Sequence, residues 1–456
     1  MPAARTSQGT DLASRALHET AHRVLVPAFD VPAFDVPAVN VPIIKEEQTV
    51  TELLRPAAEW ELQSIIARLA AQKQAVEVVG HGALRNAGRP SAAATVISTA
   101  SLRGVTLYEP NELVMSARAG TPLFEIEAEL ASRGQMLPFE PVDLGPATGA
   151  PAGALSIGGV FATNISGSRR VFSGSARDHL LGVRAVNGRA ELFKSGGRVM
   201  KNVTGLDMAR SLTGSWGTLA VLTEVTFKVV PLPEAMTTLV YRNLPDDLAI
   251  EALTAAMGTP FEVTGAVHLP KVAASRLGNQ KLAALGEGLT LLRLENFAAS
   301  VDYRRDKLKE ALRIYGTPLE LGSAETWGLW SDLRRVSVMP YSAETSLWRI
   351  STAPTKGPEI VAAIQKFMAA HAFYDWSGGL VWLEVPAAAD AGASDVRRAV
   401  AVRGGHATLI RALPEVRASV DVFEPLKPEM ERLSRGIKAA FDPHGLLNRG
   451  RMYANF

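Results

Sequence analysis

Between residues 57 and 72 the apolar positions Leu62, Ile65, Ile66 and Leu69 recur at i, i+3, i+4 and i+7, the stripe of an amphipathic helix. A short apolar run at 76–79 predicts a buried strand that ends in Gly80-His81-Gly82. Runs at 96–98, 104–108 and 113–118 read as further strands, and 122–133 as a helix capped by Thr121 and closed by Gly134. Up to Pro231 the pattern is α+β. Beyond Pro231-Leu232-Pro233, strands alternate with helical stretches at 246–257, 300–315 and 356–371, which predicts a second α+β layer packed on the first. An alanine-rich loop at 387–393 and a helix at 425–441 complete the pattern.

The amino terminus has another texture. Val-Pro recurs at Val26, Val31, Val36 and Val41. A proline every fifth residue removes backbone donors and biases each preceding valine to extended backbone, so no helix is expected there. Two readings stay open, an extended linker without chemistry and a docking strap for a partner. The division that follows is an extension over 1–48, a first domain over 49–232, a second over 233–420 and a C-terminal segment over 421–456.

Composition narrows the classes. A chain of 456 residues with 47% apolar content is long enough for two or three domains with real cores. The net charge of +2 gives no electrostatic footprint for nucleic acid and little attraction to anionic membranes. No run approaches the roughly 18 apolar residues of a bilayer span, and residues 1–23 lack the apolar core of a secretory signal. The expectation is a cytoplasmic protein that meets the inner membrane only through partners. There are no cysteines, which excludes disulfides and any cysteine-ligated iron–sulfur cluster or zinc site within the chain.

Most of the chemistry is concentrated in 156–231. It opens S-I-G-G-V-F-A-T-N-I-S-G (156–167), continues through S-R-R-V-F-S-G-S-A-R-D-H-L-L-G-V (168–183) and G-G-R-V-M-K-N-V-T-G-L-D (196–207), and closes T-G-S-W-G-T-L-A-V-L-T-E-V-T-F-K-V-V-P (213–231). Glycine permits φ > 0 and carries no Cβ, and successive N–H groups in such turns form anion-binding concavities. Two turns are expected here, at Gly158-Gly159 and from Asn164 to Gly167, with a third (214–217) before an apolar strand. Arg177-Asp178 reads mainly as scaffold, Asp178 capping a turn and Arg177 pairing with it. The earlier loop G-H-G-A-L-R-N-A-G-R (80–89) is no Rossmann turn, because Arg85 stands where the third glycine would be.

Together these strings closely resemble the flavin domain of the p-cresol methylhydroxylase/vanillyl-alcohol oxidase superfamily. The resemblance implies an α+β fold: a two-lobed FAD-binding domain of this type, an α+β cap, and a C-terminal segment that returns to the FAD domain. It implies non-covalent FAD whose diphosphate is held by backbone N–H groups. Contacts are expected at Gly80, His81, Gly82, Ala83 and Leu84, at Pro141, Gly158, Gly159, Asn164 and Gly167, and at Gly217, Leu219, Val221, Leu222 and Asn448. Some members tether the ring through a histidine in the first loop, but the phrase around His81 differs from theirs. For the glycines a tight corner that needs glycine for its own sake is the alternative, and for Leu219, Val221 and Leu222 a plain core strand.

Within the superfamily, the strings at 108–127, 134–141, 196–207, 346–351, 376–383, 404–408 and 442–453 are similar to the E-type FAD-binding subunits of glycolate oxidase. Arg449 replaces a usual proline and Leu206 a usual tyrosine. The resemblance implies a second FAD subunit and an iron–sulfur subunit as partners, and a small 2-hydroxy acid as substrate. The histidine-rich H-x-G-D-G-N segment of the paired subunit and of D-lactate dehydrogenases, which serves the metal there, does not occur, so no metal is expected. Arg349 and Arg411, on alternating strands of the cap, could supply a cation for a carboxylate, and His406 an imidazole. Surface salt bridges for the arginines and a hydrogen-bonded core position for the histidine are the competing readings. Trp382 could lie on a partner-facing surface or in the core.

Overall fold

The computed structural model describes residues 52–199 and 206–456. The Val-Pro repeat, the rest of the 1–48 extension and residues 200–205 lie outside the described residues. The helix Glu59–Ala71 forms where its stripe predicts, with Leu62, Ile66 and Leu69 buried and Ile65 half-buried. Each fully buried side chain of this size contributes roughly 2 kcal/mol. The helix covers a parallel three-stranded sheet in which Thr95–Ser98 lies between Glu52–Leu54 and Val76–Val79.

The second sheet is antiparallel, in the order Val105–Glu109, Val114–Arg118, Ala220–Lys228, Leu180–Asn187, Leu192–Gly196. Its central strand is buried on both faces. Leu222, Val225 and Phe227 join a core with Leu123, Ile126 and Phe161, while Val221 joins the core of the first sheet and its helix. This double coverage accounts for the unbroken apolar stretch 219–222, after which Thr223, Glu224, Thr226 and Lys228 interleave with Val225 and Phe227.

The cap is an eight-stranded antiparallel sheet ordered Leu319–Leu321, Ala235–Arg242, Leu289–Asn296, Gly265–Leu269, His371–Asp375, Leu380–Pro386, Thr345–Ser351, His406–Arg411. The helices Asp246–Met257, Ala298–Ala311, Lys356–Gln365 and Ala393–Arg403 cover one face. The other face packs on the first half, where Leu347, Phe373, Trp382 and Ile410 share a core with Ala87, Val142, Leu144, Ala147 and Trp216.

After the cap the chain returns. The helix Pro428–Phe441 leads to Leu446 and Leu447, which enter the core beneath Val76, and Leu447 bridges Val76 in parallel. A buried ion pair secures the return: Lys438 Nζ donates to Asp442 (2.7 Å), to the Thr218 carbonyl (2.6 Å) and to the Leu447 carbonyl (2.9 Å). Asp442 in turn accepts the Leu446 and Leu447 amides. All three ammonium protons are used, the condition under which a buried pair holds a fold together.

Several local expectations are corrected. Thr121 does not cap the following helix, because its hydroxyl donates back to the Arg118 carbonyl (2.7 Å) and helix Leu123–Ser132 starts after Pro122. The helix expected over 356–371 ends at Gln365, since the aromatic H-A-F-Y-D segment pairs as a strand with Leu380–Pro386. The helix expected over 300–315 runs Ala298–Ala311, followed by a short turn of helix at Arg313–Tyr315. Gly158 and Gly159 lie in a helix, Ile157–Thr163, rather than a turn. Asp178 caps with Ser175, and no ion pair joins it to Arg177 among the described residues. Trp382 is 2% exposed and stacks on Phe373, which places it in the core.

Candidate functional site

Where Val76–Val79 ends, the chain passes close to the start of helix Ile157–Thr163. A Cβ on Gly80 would stand 2.5 Å from Ser156 Oγ, so any other residue there would displace that hydroxyl. Ser156 Oγ accepts the Gly159 amide (3.2 Å), and the Gly158 amide donates to the Ala119 carbonyl (2.8 Å). The two neighbouring glycines therefore serve different purposes. A Cβ at Gly158 would meet the Ala119 carbonyl oxygen at 2.6 Å, a packing requirement, whereas one at Gly159 has its nearest neighbour, Leu155 Cδ1, at 3.3 Å.

These segments form one wall of a cleft of about 780 Å³. Its rim includes Gly80, His81, Gly82, Ala83 and Leu84, its floor Gly158 and Gly159, and its far side Gly217, Val221, Leu222 and Asn448. Gly82 has φ +88° and open space where a Cβ would be. Among the described residues, the amides of His81, Gly82, Ala83 and Leu84 donate to no protein acceptor. No Asp or Glu lines the cleft, whereas Arg85 and Arg451 do. Free N–H groups, no acidic wall and the apolar side chains of Val221 and Leu222 suit an anionic ligand with an apolar end.

The C-terminal tail builds the far side. Asn448, in left-handed backbone at φ +43°, accepts the Val78 amide (2.7 Å) and donates to the Trp216 carbonyl (2.7 Å). A Cβ on Gly217 would come within 2.9 Å of the Asn448 amide nitrogen. Arg451 donates to the Leu84 carbonyl (2.6 Å) and the Arg89 carbonyl (2.9 Å), tying down the first loop, and burial lowers its pKa to about 10. Neither Ser156 nor Arg451 was singled out as a site residue from the sequence. Only the recurrence of tail residues among the strings of family resemblance hinted that the tail mattered. Asn448→Ala would orphan the Val78 N–H and the Trp216 carbonyl, and should lower stability by roughly 2–4 kcal/mol, read as a drop in melting temperature. An unchanged melting temperature would show that water replaces the amide.

Four expected contacts do not line the cleft. Leu219 is in the core, and the Pro141 carbonyl accepts Arg334 Nε (2.7 Å). Asn164 closes helix Ile157–Thr163 at φ +52° and accepts the Arg177 amide. Gly167 packs on Glu140, and its carbonyl accepts the Trp376 indole N–H (2.9 Å). His81 Nε2 lies 2.8 Å from the Gly120 carbonyl; a carbonyl only accepts, so that nitrogen carries the hydrogen.

On the cap the structure brings Arg349 and His406 together but leaves Arg411 elsewhere. Arg411 is buried and donates to Ala147, Pro340, Thr345 and Glu384, so the expectation of a substrate-facing cation there is corrected to a tie that holds residues 339–345. Arg349 is half-buried opposite Trp382 in the sheet register, and burial followed by the charge of Arg170 lowers its pKa to about 10. His406 begins the edge strand; partial burial, then Arg349, hold its imidazole below the usual range.

Where the halves meet, Arg293 pairs with Glu140 (2.6 Å) and Glu295 (3.2 Å), and Arg169 with Glu295. Beside them Asp375 accepts Ser168 Oγ (2.8 Å) and the Trp376 amide (2.6 Å), yet burial pushes its carboxyl up to about 7. An unfolded aspartate titrates near pH ~4. Between those values the folded chain keeps a proton that the unfolded chain has lost. This group's contribution is therefore full below pH ~4 and declines as pH rises through its folded value. Asp375→Asn, which cannot ionise, should gain melting temperature relative to the wild type across that window. A constant difference would refute the assignment.

Comparisons with known proteins agree with this geometry. A family model described as an FAD binding domain matches residues 51–196. Glycolate oxidase subunit GlcE of Escherichia coli is 33% identical over 368 residues, covering 80% of this chain and 89% of its own. Glycolate oxidase subunit GlcD of Bacillus subtilis is 25% identical over 399 residues, 80% of each chain. Among solved structures, 4-ethylphenol oxidase of Gulosibacter chungangensis superposes with a TM-score of 0.67 at 13% identity, covering 90% of this chain and 91% of that one. p-Cresol methylhydroxylase gives 0.63 at 13% identity, with 88% of each chain covered. At such identities the structural likeness speaks for the fold alone: a two-lobed α+β body with an α+β cap.

Proposed function

This chain belongs to the family of glycolate oxidase subunit GlcE, and from that premise we propose that it is the FAD-binding subunit of a glycolate-oxidising complex. It acts as an FAD-dependent oxidoreductase on CH–OH donors, with glycolate or a related small 2-hydroxy acid as substrate. The observation that carries this reading is the cleft rimmed by residues 80–84, with its free amides, Gly159 open to the interior and no acidic side chain in the wall. FAD, bound without a covalent link, would supply the two-electron acceptor that oxidation of an alcohol carbon requires. The chain's own residues do the holding. The amides of His81 to Leu84 and the floor at Gly159 suit the diphosphate, Val221 and Leu222 give an apolar wall, and Asn448 with Arg451 fix the loops around it. Of the cap residues, Arg349 and His406 are the candidates to face the substrate.

A multi-subunit setting follows from the family, and we propose as its members a second flavin subunit and an iron–sulfur subunit. Among the described residues no helix is long and apolar enough to cross a membrane, so any membrane contact is assigned to the partners. A second reading is favoured by the missing H-x-G-D-G-N segment: a flavin-bearing relay or assembly subunit that does little substrate chemistry itself. Anaerobic addition of glycolate to the FAD-loaded chain separates the two. Bleaching of the flavin band supports the catalytic reading, and a persistent oxidised spectrum supports the relay. A chain that takes up no FAD on reconstitution would overturn both.

A further inference from the structure

At the boundary between the flavin half and the cap lies a second constellation, none of whose side chains lines the cleft. Arg170, from the flavin half, has its guanidinium carbon 4.9 Å from the centre of the Trp376 ring. Arg349, from the cap, stands 5.0 Å from the centre of the same ring and 5.9 Å from that of Trp382. The indole is fixed by its N–H donation across the boundary to the Gly167 carbonyl (2.9 Å). Among the described residues, neither guanidinium has a carboxylate within ion-pair distance, and the enclosed Arg349 Nε has no hydrogen-bond partner. The acids nearby are engaged elsewhere: Asp375 with Ser168 and the Trp376 amide, Asp178 with Ser175, Glu424 with Arg397.

Two guanidiniums on one indole repel each other, and Arg349 and His406 both register the charge of Arg170. Such an arrangement is costly in a half-buried setting unless an anion completes it. The fork of a guanidinium matches a planar carboxylate, and arginine stacks on aromatic faces without losing those donors. Access is open, because Arg170 and His406 are exposed while Arg349 and Trp376 are half-buried. The apolar cluster that holds Leu84 and Trp216 in the cleft wall also holds Trp376 and Trp382, so one continuous core runs from the cleft wall to the indole platform.

We propose that Arg170 and Arg349, with Trp376 as their shared platform, form a two-sided binding site for the carboxylate of a small 2-hydroxy acid or its 2-oxo product. The substrate class rests on the functional reading above; the site itself rests on the geometry. One ligating residue comes from each half, so an occupied site would link the cap to the flavin body. His406 stands at its exposed side.

The test titrates oxalate, a small carboxylate that cannot donate a hydride, into the full FAD-loaded chain while tryptophan fluorescence is followed. Saturable quenching that disappears in Trp376→Phe is expected. Arg170→Gln and Arg349→Gln should each raise the dissociation constant at least tenfold at unchanged flavin content, and Arg349→Lys should recover part of the loss. Absent saturation, or wild-type constants in both glutamine variants, would overturn the site even where flavin content and glycolate bleaching are normal. Inorganic phosphate displacing oxalate at equal concentration would overturn its assignment to carboxylates. Because Arg170 is exposed, its variant should keep the wild-type melting temperature, which separates lost binding from lost folding.

Discussion

Replacing Gly159 by valine is expected to strip the flavin from this chain while leaving it folded. The first Cβ at this position would meet Leu155 Cδ1 at 3.3 Å and Ser156 Oγ at 3.4 Å, contacts a small shift relieves. The backbone there is ordinary helix, so a side chain brings no conformational penalty. The two further methyl groups of valine have only the cleft to occupy. Excluding the ligand from backbone amides that nothing else satisfies should weaken binding by a factor of a hundred or more, about 3 kcal/mol. The flavin-to-protein absorbance ratio should fall from about one per chain to near zero, while the melting temperature of the apo chain stays within a few degrees. Gly158→Ala is the informative contrast. Its Cβ would collide with the Ala119 backbone at 2.6 Å, so that variant should lose solubility before it loses flavin. Yellow colour that stays with the acid-precipitated wild-type protein would instead point to a tether at His81.

The isolated chain should show little or no glycolate oxidation with artificial dyes, and activity should appear on co-expression with a second flavin subunit and an iron–sulfur subunit. The chain has no cysteine, hence no ligands for the cluster relay that carries single electrons away from a two-electron flavin. Since Trp382 lies in the core, it cannot form the surface such a relay would approach. The measurement is the dye-reduction rate of the lone chain against that of the three-subunit preparation, at equal flavin. Full turnover by the lone chain would sink the assembly argument and move Arg349 and His406 to the centre of the chemistry.

The local errors share one cause. Thr121 has the right chemistry for a helix cap, but its hydroxyl finds the Arg118 carbonyl first. Residues 366–371 continue a plausible helix in one dimension, yet the aromatic strand that follows has pairing partners far along the chain. Arg349 and Arg411 look alike in sequence, each a lone cation on an alternating strand. One faces an indole and a second guanidinium, and the other donates to four backbone carbonyls, a threonine hydroxyl and a glutamate. Alternation fixes which face of a strand a residue occupies and says nothing about what packs against that face.

By itself the sequence determined the elements whose signal is local. The stripe at Leu62, Ile66 and Leu69, the buried strand Val76–Val79 and the glycine-bearing loop that follows it at 80–82 were legible because periodicity and the missing Cβ act within a few residues. The flavin was legible through the resemblance that the strings in 156–231 carry to a flavoprotein family. Tertiary structure alone decided the rest. Asn448 reaches the strand before the first loop, and Arg451 the loop itself, from more than three hundred residues away, Arg170 and Arg349 share one indole across the boundary between the halves, and Gly158 packs on Ala119 while Gly159 lines the cleft. These are outcomes of which surfaces meet on folding, and such contacts leave no period, spacing or composition in the chain that makes them.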